Sequence, residues 1–573
     1  MNIAKMALAL AVVLCSLVAA SADTVKKHYV APTPPMGWNS WNRFGENVSE
    51  RLIMETADAM ASNGMKDAGY QYVVIDDGWQ LGMTPARGWE WQGTAFKAGR
   101  DTNNVLMVDP VKFPNGMKYV ADYVHSKGLR FGIYTAPGRR TCAGHTGSLG
   151  YEEIDLRTFA AWGVDYIKLD SCGAEESPHV ILSRWRAIID MLNRPMVLSV
   201  NLGVSDINPR LADMWRTTTD IMPIWSYRLE DFRLMASISD IINLQAGLEY
   251  LNGPGGWNDP DMLQVGNGNL TDDENRAHIS MWAIFGSPLM AGTDLRNLPE
   301  NIRQIFTQNE IIAIDQDAAG RMGRKVQEDQ PGLQVWAKPL AQYGAVAVAL
   351  LNKTDTAADI RLNLRDIGVC GEAYVRDVWQ RQDRGLFKDS FTAKVPPHGV
   401  SVLKINTFEH LGQFAPIPII PAEGVVMEAE SLEYYFGGGA IAAEFRGFTG
   451  TGYVRGRNHE WRPLELIWVT PFAAPGLYKL EIRYANGTGT TLKYTLSSLS
   501  GLESTIDLPS TKNWSDWQTV FIEERLNEGV NHIMLIATNA RKMNDVAIDS
   551  LKLTPVGGQQ TIFHRQEPNH DQP

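Results

Sequence analysis

Between residues 28 and 312 short β-rich runs alternate with longer stretches of helical period, and this alternation restricts the chain more than any other feature. The runs are YQYVVI (70–75), RFGIYT (130–135), VDYIKL (164–169), RPMVLSV (194–200) and MWRT (214–217). Between them lie segments such as GMKYVADYVHSKG (116–128), whose apolar residues recur near helical spacing and which stops at Gly128. Regular β-α alternation requires parallel strands joined by crossover helices. A length of about 280 residues suits one closed (β/α)8 barrel better than two open sheets.

The ends of these runs are chemically uneven. VVIDD ends on Asp76 and Asp77, YIKLD on Asp170, LSVN on Asn201 and RTTTD on Asp220. In a parallel barrel all strand C-termini open on one face, so groups far apart in sequence converge there. Acidic residues that merely cap the following helices would account for one or two of these positions. They do not account for Lys168, which sits two residues before Asp170 in an otherwise apolar run, where strand alternation turns it to the same side. Two carboxylates on different strand ends are what glycosidic cleavage needs, one to attack or activate water and one to protonate the leaving oxygen. Asp170, with a cation to keep it ionised, and Asp220, in a semi-apolar setting, form the candidate pair. Metal-assisted hydrolysis by the same acids competes with this reading, but His is scarce among the strand-end motifs.

Past residue 315 the pattern changes to short, turn-bounded alternating runs, read as an antiparallel β-domain over 315–410. A Pro-rich link (411–424, containing FAPIPIIPAEG) leads to a second all-β unit over 425–555, read as a β-sandwich, and a polar tail over 556–573. Residues 1–22 read as an export signal: Lys5, an apolar run from Met6 to Ala20, and the small-residue sequence Ala20-Ser21-Ala22. No later stretch is long and apolar enough to span a bilayer. The expectation is a secreted protein, extracellular or periplasmic. A net charge of -12 argues against a nucleic-acid partner. The chain has 17 Trp, nearly as many as its 18 Tyr or 18 Phe. Flat apolar rings suit stacking on sugar faces, although large cores also use Trp. Outside the signal, Cys142, Cys172 and Cys370 permit one disulfide and one leftover thiol, or three buried small hydrophobes.

Six motifs in order make the reading specific: PTPPMGWNSWNRF (32–44), YVVIDDGW (72–79), ADYVHSKGLRFGIY (121–134), TFAAWGVDYIKLDSCG (158–173), WRTTTDI (215–221) and GGWNDPDML (255–263). Together they resemble the α-galactosidases (melibiases) of glycoside hydrolase family 27, over about residues 30–310 and more faintly through the antiparallel domain. The resemblance implies a retaining exo-glycosidase that releases terminal α-D-galactosyl residues and needs no cofactor for catalysis. Asp170 then matches the nucleophile and Asp220 the acid/base. Asp76 and Asp77 match the pair that binds the 4- and 6-hydroxyls of galactose, and Trp41 the ring beneath the apolar sugar face. Lys168 and Arg216 match cations that hold the 2- and 3-hydroxyls and the nucleophile. Tyr134 and Asp261 match wall residues, and Cys142 and Cys172 a disulfide at the rim.

One position departs from the family pattern. Where many members carry Cys-Glu-Trp after the fifth strand, this chain has Val200-Asn201-Leu202, which removes a charge beside the 2-hydroxyl. Specificity for β-L-arabinopyranosides or α-N-acetylgalactosaminides is the alternative on the same barrel, and a non-catalytic sugar-binding protein is a third reading. Retention of both Asp76 and Asp77 favours a ligand with a 6-hydroxyl. In the last unit VVMEAESLEY (425–434), FTGTGYV (448–454) and NDVAIDSLKL (544–553) resemble carbohydrate-binding modules of families 6 and 35. That resemblance implies a structural calcium held by Glu428, Glu430 and Asp549, with solvated strand-end acids as the alternative. Tyr453, Trp461, Trp514 and Trp517 are candidates for sugar stacking there. The oligomeric state is not legible.

Overall fold

A computed structural model describes residues 30–556, except 82–98, 193, 228–234, 409–411, 413, 415–419, 433–434, 437–438, 457–463, 472, 499–502 and 539–545. The export signal, nearly all of the polar tail, Trp461 and half of the Pro-rich link lie outside the described residues. Two compact units divide the chain: residues up to Arg216 with Gly253–Trp257 and Asp294–Arg296, and Thr217–Asn252, Asn258–Thr293 and Asn297 onward.

The barrel strands are β1 (Met36–Asn39), β2 (Tyr72–Ile75), β3 (Arg130–Thr135), β4 (Tyr166–Leu169), β5 (Val197–Val200), β6 (Met214–Arg216), β7 (Trp257–Asp259) and β8 (Leu289–Ala291). They form one eight-stranded sheet in the order β7-β6-β5-β4-β3-β2-β1-β8. From β1 to β6 each strand pairs in parallel with its successor, for example Tyr134 opposite Lys168 and Lys168 opposite Ser199. With intervening helices α1 (Glu50–Ser62), α2 (Met117–Ser126), α3 (Glu152–Trp162), α4 (Pro178–Met191), α5 (Ile238–Leu244) and α6 (Asp272–Phe285), this is the (β/α)8 arrangement expected. Three of these helices begin at a capping side chain, α1 at Ser49, which accepts the Leu52 N–H. Ser237 and Asp240 cap α5 reciprocally, as Thr271 and Glu274 cap α6. β1, β7 and β8 were not among the runs recognised, since MGWN, WND and LMA contain no β-branched residue.

The antiparallel region holds a six-stranded sheet of β9 (Arg324–Gln330), β10 (Leu333–Pro339), β11 (Ala345–Asn352), β13 (Glu372–Asp377), β14 (Gln382–Lys388) and β16 (Val400–Thr407). A two-stranded sheet of β12 (Ala358–Asn363) and β15 (Ser390–Val395) completes a core of Val348, Leu350, Leu362 and Leu403. The last region is a sandwich of two antiparallel sheets. One centres on β19 (Gly476–Ala485) and β22 (Ala547–Pro555), with β17 (Val425–Glu428) against β22; the other on β18 (Glu465–Val469), β20 (Leu492–Ser498) and β21 (His532–Ala537). Alternate residues of both sheets meet in one core that includes Trp468, Leu480, Tyr494 and Leu551.

The Trp-rich composition resolves mainly into packing. Trp38, Trp79, Trp185, Trp215, Trp257, Trp282, Trp336 and Trp468 are all fully buried, so core filling rather than sugar stacking accounts for these eight. Among the described residues no helix is long and apolar enough to cross a membrane.

Candidate active site

In the first unit the strand ends bring the expected residues together. β2 delivers Asp76 and Asp77, which are 2% and 1% exposed. Asp76 Oδ2 accepts from Asn39 Nδ2 at 2.8 Å and from Lys168 Nζ at 2.7 Å. Lys168 thus forms an ion pair with Asp76. Its ammonium also lies 5.6 Å from the centre of the Tyr134 ring. Asn39 does double duty, since its Oδ1 accepts the backbone N–H of Trp41 at 2.9 Å and so fixes the turn that carries the half-buried indole. The sequence reading passed over Asn39 even though it lies inside the GWNSW motif.

Asp77 accepts from the backbone N–H of Gly78 at 2.9 Å and of Ala143 at 2.8 Å, the latter beside Cys142. Burial pushes its carboxyl up to about 7, and the charge of Asp76 adds to the rise, while hydrogen bonds from Ala143, Thr141 and Gly78 oppose it. Gly78 follows at φ 103°, where an added Cβ would lie 2.9 Å from Glu46 Cα, so only glycine fits behind this carboxylate.

β4 ends at Asp170, whose two oxygens are held separately. Oδ1 accepts from Ser171 N–H at 2.8 Å and from Asn201 Nδ2 at 2.9 Å. Oδ2 accepts from the Tyr134 hydroxyl at 2.9 Å and lies 3.2 Å from Cys142 Sγ. That sulfur is in the disulfide with Cys172, so it has no proton to give and the approach is a packing contact. Tyr134 is fully buried, and burial together with the charges of Asp170, Asp77 and Asp76 holds its hydroxyl well above the ordinary range, as a neutral donor. Asn201, the position that departs from the family pattern, is therefore a direct partner of Asp170. Arg216 is buried on β6. The Cys142–Cys172 bridge forms as the resemblance implied, and Cys370 is exposed and free.

In the second unit Asp220 is half-buried, four residues beyond β6. Its carbonyl accepts the Ala236 N–H at 2.9 Å, which closes the loop before α5. The neighbouring Ile221 N–H donates to Asp261 Oδ2 at 2.9 Å, while Asp261 Oδ1 accepts from Met262 N–H at 2.7 Å. Asp261 is 4% exposed and adopts φ 95°, a conformation uncommon for any residue but glycine. Trp282 on α6 holds its carbonyl through Nε1 at 2.8 Å. Asp261 thus secures the Asp220–Ile221 turn, a positioning role that its motif alone did not disclose.

In the sandwich Glu428 and Asp549 meet at Thr449, whose hydroxyl lies 2.8 Å from each. Glu430 accepts from Thr451 N–H at 2.6 Å and Gly452 N–H at 3.2 Å, and Arg483 pairs with Asp549. Burial raises the Glu428 carboxyl, and the charges of Glu430 and Asp549 contribute. All donors are oxygens, as a hard cation requires. In this arrangement, however, Arg483 supplies the countercharge, and among the described residues no three such side chains converge on one point. The residues as placed do not make a coordination sphere. Of the stacking candidates, Tyr453 is fully buried and its ring stacks on Phe445, which in turn stacks on Trp514. Trp517 packs edge-on against Tyr453.

Comparison with known proteins agrees with this geometry. Residues 33–317 match the family profile described as Alpha galactosidase A, and 330–405 that described as Alpha galactosidase C-terminal beta sandwich domain. Alpha-galactosidase A of Cellvibrio japonicus (strain Ueda107) is 40% identical over 421 residues, covering 70% of this chain and 99% of that protein. Among solved structures, α-galactosidase I from Mortierella vinacea superposes with a TM-score of 0.59 at 34% identity, over 67% of this chain and 98% of its own. A β-L-arabinopyranosidase of the same glycoside hydrolase family from Geobacillus stearothermophilus gives 0.59 at 27% identity, over 68% and 100%.

Proposed function

The chain belongs to the α-galactosidases of glycoside hydrolase family 27, and from that premise we propose a retaining, exo-acting mechanism in which Asp170 attacks and Asp220 carries the proton. Hydrolysis of α-galactosides is the family's reaction and the activity of this protein. In the proposed first step an Asp170 oxygen bonds to the anomeric carbon as the bond to the leaving oxygen breaks, and Asp220 gives that oxygen its proton. In the second, Asp220 takes a proton from water, the water oxygen bonds to the anomeric carbon, and Asp170 leaves. The observation that carries the reading is the treatment of Asp170. Tyr134, Asn201 and the Ser171 N–H hold its two oxygens in one orientation, as an attacking group needs.

Asp76 and Asp77 are proposed to read the 4- and 6-hydroxyls of galactose, with Trp41 against the apolar face and Lys168 and Arg216 on the 2- and 3-hydroxyl side. Kinetics on aryl α-galactoside, β-L-arabinopyranoside and α-N-acetylgalactosaminide test this assignment. A site built to bond a hydroxyl discriminates against analogues lacking it by up to about 10⁴–10⁵-fold. We expect the α-galactoside to be strongly preferred. Equal or higher kcat/KM on the arabinoside means that the 6-hydroxyl is not read.

Export is proposed from the leader at residues 1–22 and is supported by the Cys142–Cys172 bridge, since structural disulfides persist in oxidising compartments. The mature N-terminus should then be Asp23, and a retained Met1 refutes export by this signal. The sandwich is proposed to bind carbohydrate. Calcium there would need Arg483 to release Asp549, after which Glu428, Glu430 and Asp549 would hold the ion. Adding calcium to the chelated full chain should raise the melting temperature of the sandwich by linkage, and an unchanged melting curve excludes the site.

A further inference from the structure

In the second unit α6 carries Asn275, His278 and Trp282 at the i, i+3 and i+7 spacing that places residues on one helix face. All three are buried, and each bonds the backbone of the segment 261–266 that follows β7. Asn275 Oδ1 accepts the Gly266 N–H at 3.0 Å, and His278 Nε2 accepts the Gln264 N–H at 2.9 Å. Trp282 Nε1 donates to the Asp261 carbonyl at 2.8 Å. The end of β8 holds the same segment, since Leu263 N–H donates to the Met290 carbonyl at 2.7 Å and Gly292 N–H to the Leu263 carbonyl at 2.9 Å. The segment is fixed along its length.

This strap in turn grips the residue beside Asp220. Asp261 Oδ2 accepts the Ile221 N–H at 2.9 Å, and Gln264 Nε2 donates to the Ile221 carbonyl at 3.2 Å. Both backbone polar groups of Ile221 therefore end on side chains of the one segment. The direction of the Gln264 amide is set by its neighbour. Asn267 Nδ2 donates to the Gly292 carbonyl at 3.0 Å and to Gln264 Oε1 at 2.7 Å, which leaves Gln264 Nε2 for Ile221.

His278 can serve here in one protonation state only. Its Nε2 faces an N–H and must be bare, so the hydrogen of the neutral ring sits on Nδ1. A protonated ring would set one N–H against another. Complete burial keeps the ring neutral, pushing the imidazole down to about 3. Packing at 84° against Trp282, with 4.1 Å between ring centres, fixes its plane. We propose that His278 and Gln264 are positioning residues for the acid/base: His278, as a neutral acceptor, sets Gln264, and Gln264 sets the Ile221 carbonyl and with it the Asp220 turn. This inference rests on the reading of Asp220 as acid/base and adds to it a route from α6 to that carboxyl.

Leaving-group dependence separates this role from a merely structural one. Proton donation helps a poor leaving group far more than an activated one, so a displaced acid lowers kcat/KM selectively on phenyl α-galactoside. A smaller folded fraction lowers kcat/KM equally on phenyl and dinitrophenyl α-galactosides and leaves their ratio unchanged. In the full chain Asp220→Gly sets the scale, and its phenyl-to-dinitrophenyl ratio should fall by about 10²–10⁴-fold. His278→Met and Gln264→Met should each lower the ratio about tenfold to a hundredfold, the cost of a carboxyl misplaced by about 1 Å or less. His278→Gln, whose amide oxygen replaces Nε2 as acceptor, should return it toward the wild-type value. The two Met changes lie on different elements, so either decides the matter if the other fails to fold. A ratio unchanged in the Met variants beside a lowered one in Asp220→Gly overturns this inference alone, as does a ratio as low in His278→Gln as in His278→Met. An unchanged ratio in Asp220→Gly overturns the acid/base reading and this inference with it.

Discussion

Replacing Asp77 by Asn should make the protein's stability less sensitive to pH, in a direction that follows from its burial. The folded state raises this carboxyl from 3.8 to about 7. Below pH 4 the group is protonated in both folded and unfolded chains and costs nothing. As pH rises past 4 the unfolded chain ionises first, so the wild-type fold loses stability until Asp77 itself ionises near 7. At about 1.4 kcal/mol per pH unit over roughly three units, the loss amounts to about 4 kcal/mol at pH 8. Asn carries no such dependence. It keeps only one of the two acceptor oxygens used by Gly78 and Ala143, a pH-independent cost of about 1–3 kcal/mol. The variant should therefore melt below the wild type at pH 4, gain on it steadily, and melt above it at pH 8. With about 2 °C per kcal/mol for a domain of this size, the difference in Tm should swing by about 8 °C, read by calorimetry of the barrel transition. A difference that stays flat from pH 4 to 8, or that moves against the variant as pH rises, refutes the reasoning.

Two further variants probe the same wall. Cys142→Ser with Cys172→Ser opens a loop closed across a sequence separation of 30, which in the chain-entropy model costs about 3–4 kcal/mol; an unchanged Tm in the double variant contradicts a structural role. Tyr134→Phe removes the 2.9 Å hydrogen bond to Asp170 without changing the volume much. A bond to a charged group is worth about 1.5–3 kcal/mol, so kcat/KM on aryl α-galactoside should fall about tenfold to a hundredfold with Tm nearly preserved. Full activity in that variant means the phenol does not orient the carboxylate.

The sequence disclosed those parts of the barrel whose strands are rich in β-branched and aromatic residues. β2 to β6 were recognised because YVVI, RFGIYT, YIKL, VLSV and MWR stand out from their polar flanks. β1, β7 and β8 did not, because MGWN, WND and LMA contain no β-branched residue to mark them off from their flanks. At the site the strand-end positions were legible and the pairings were not. Lys168 pairs with Asp76, 92 positions away along the chain, a distance that only the parallel register closes. Asp261 read as a wall residue, whereas its positive φ and its grip on Ile221 belong to the backbone conformation, on which residue types are silent. The Trp count pointed to sugar stacking, and eight of the 17 rings are fully buried in cores. Such ambiguity is inherent in a side chain that suits both uses.

The roles of Asp170 and Asp220 are tested most directly by azide rescue of Asp170→Gly and Asp220→Gly with an activated aryl α-galactoside, the product being identified by NMR. In Asp170→Gly azide takes the vacant place of the nucleophile and attacks opposite the leaving group. In Asp220→Gly the glycosyl-enzyme still forms, and azide attacks it from the side the leaving group vacated. The account predicts β-galactosyl azide from the first variant and α-galactosyl azide from the second. The reverse pattern, or the same anomer from both, contradicts the assignment of Asp170 as nucleophile and Asp220 as acid/base.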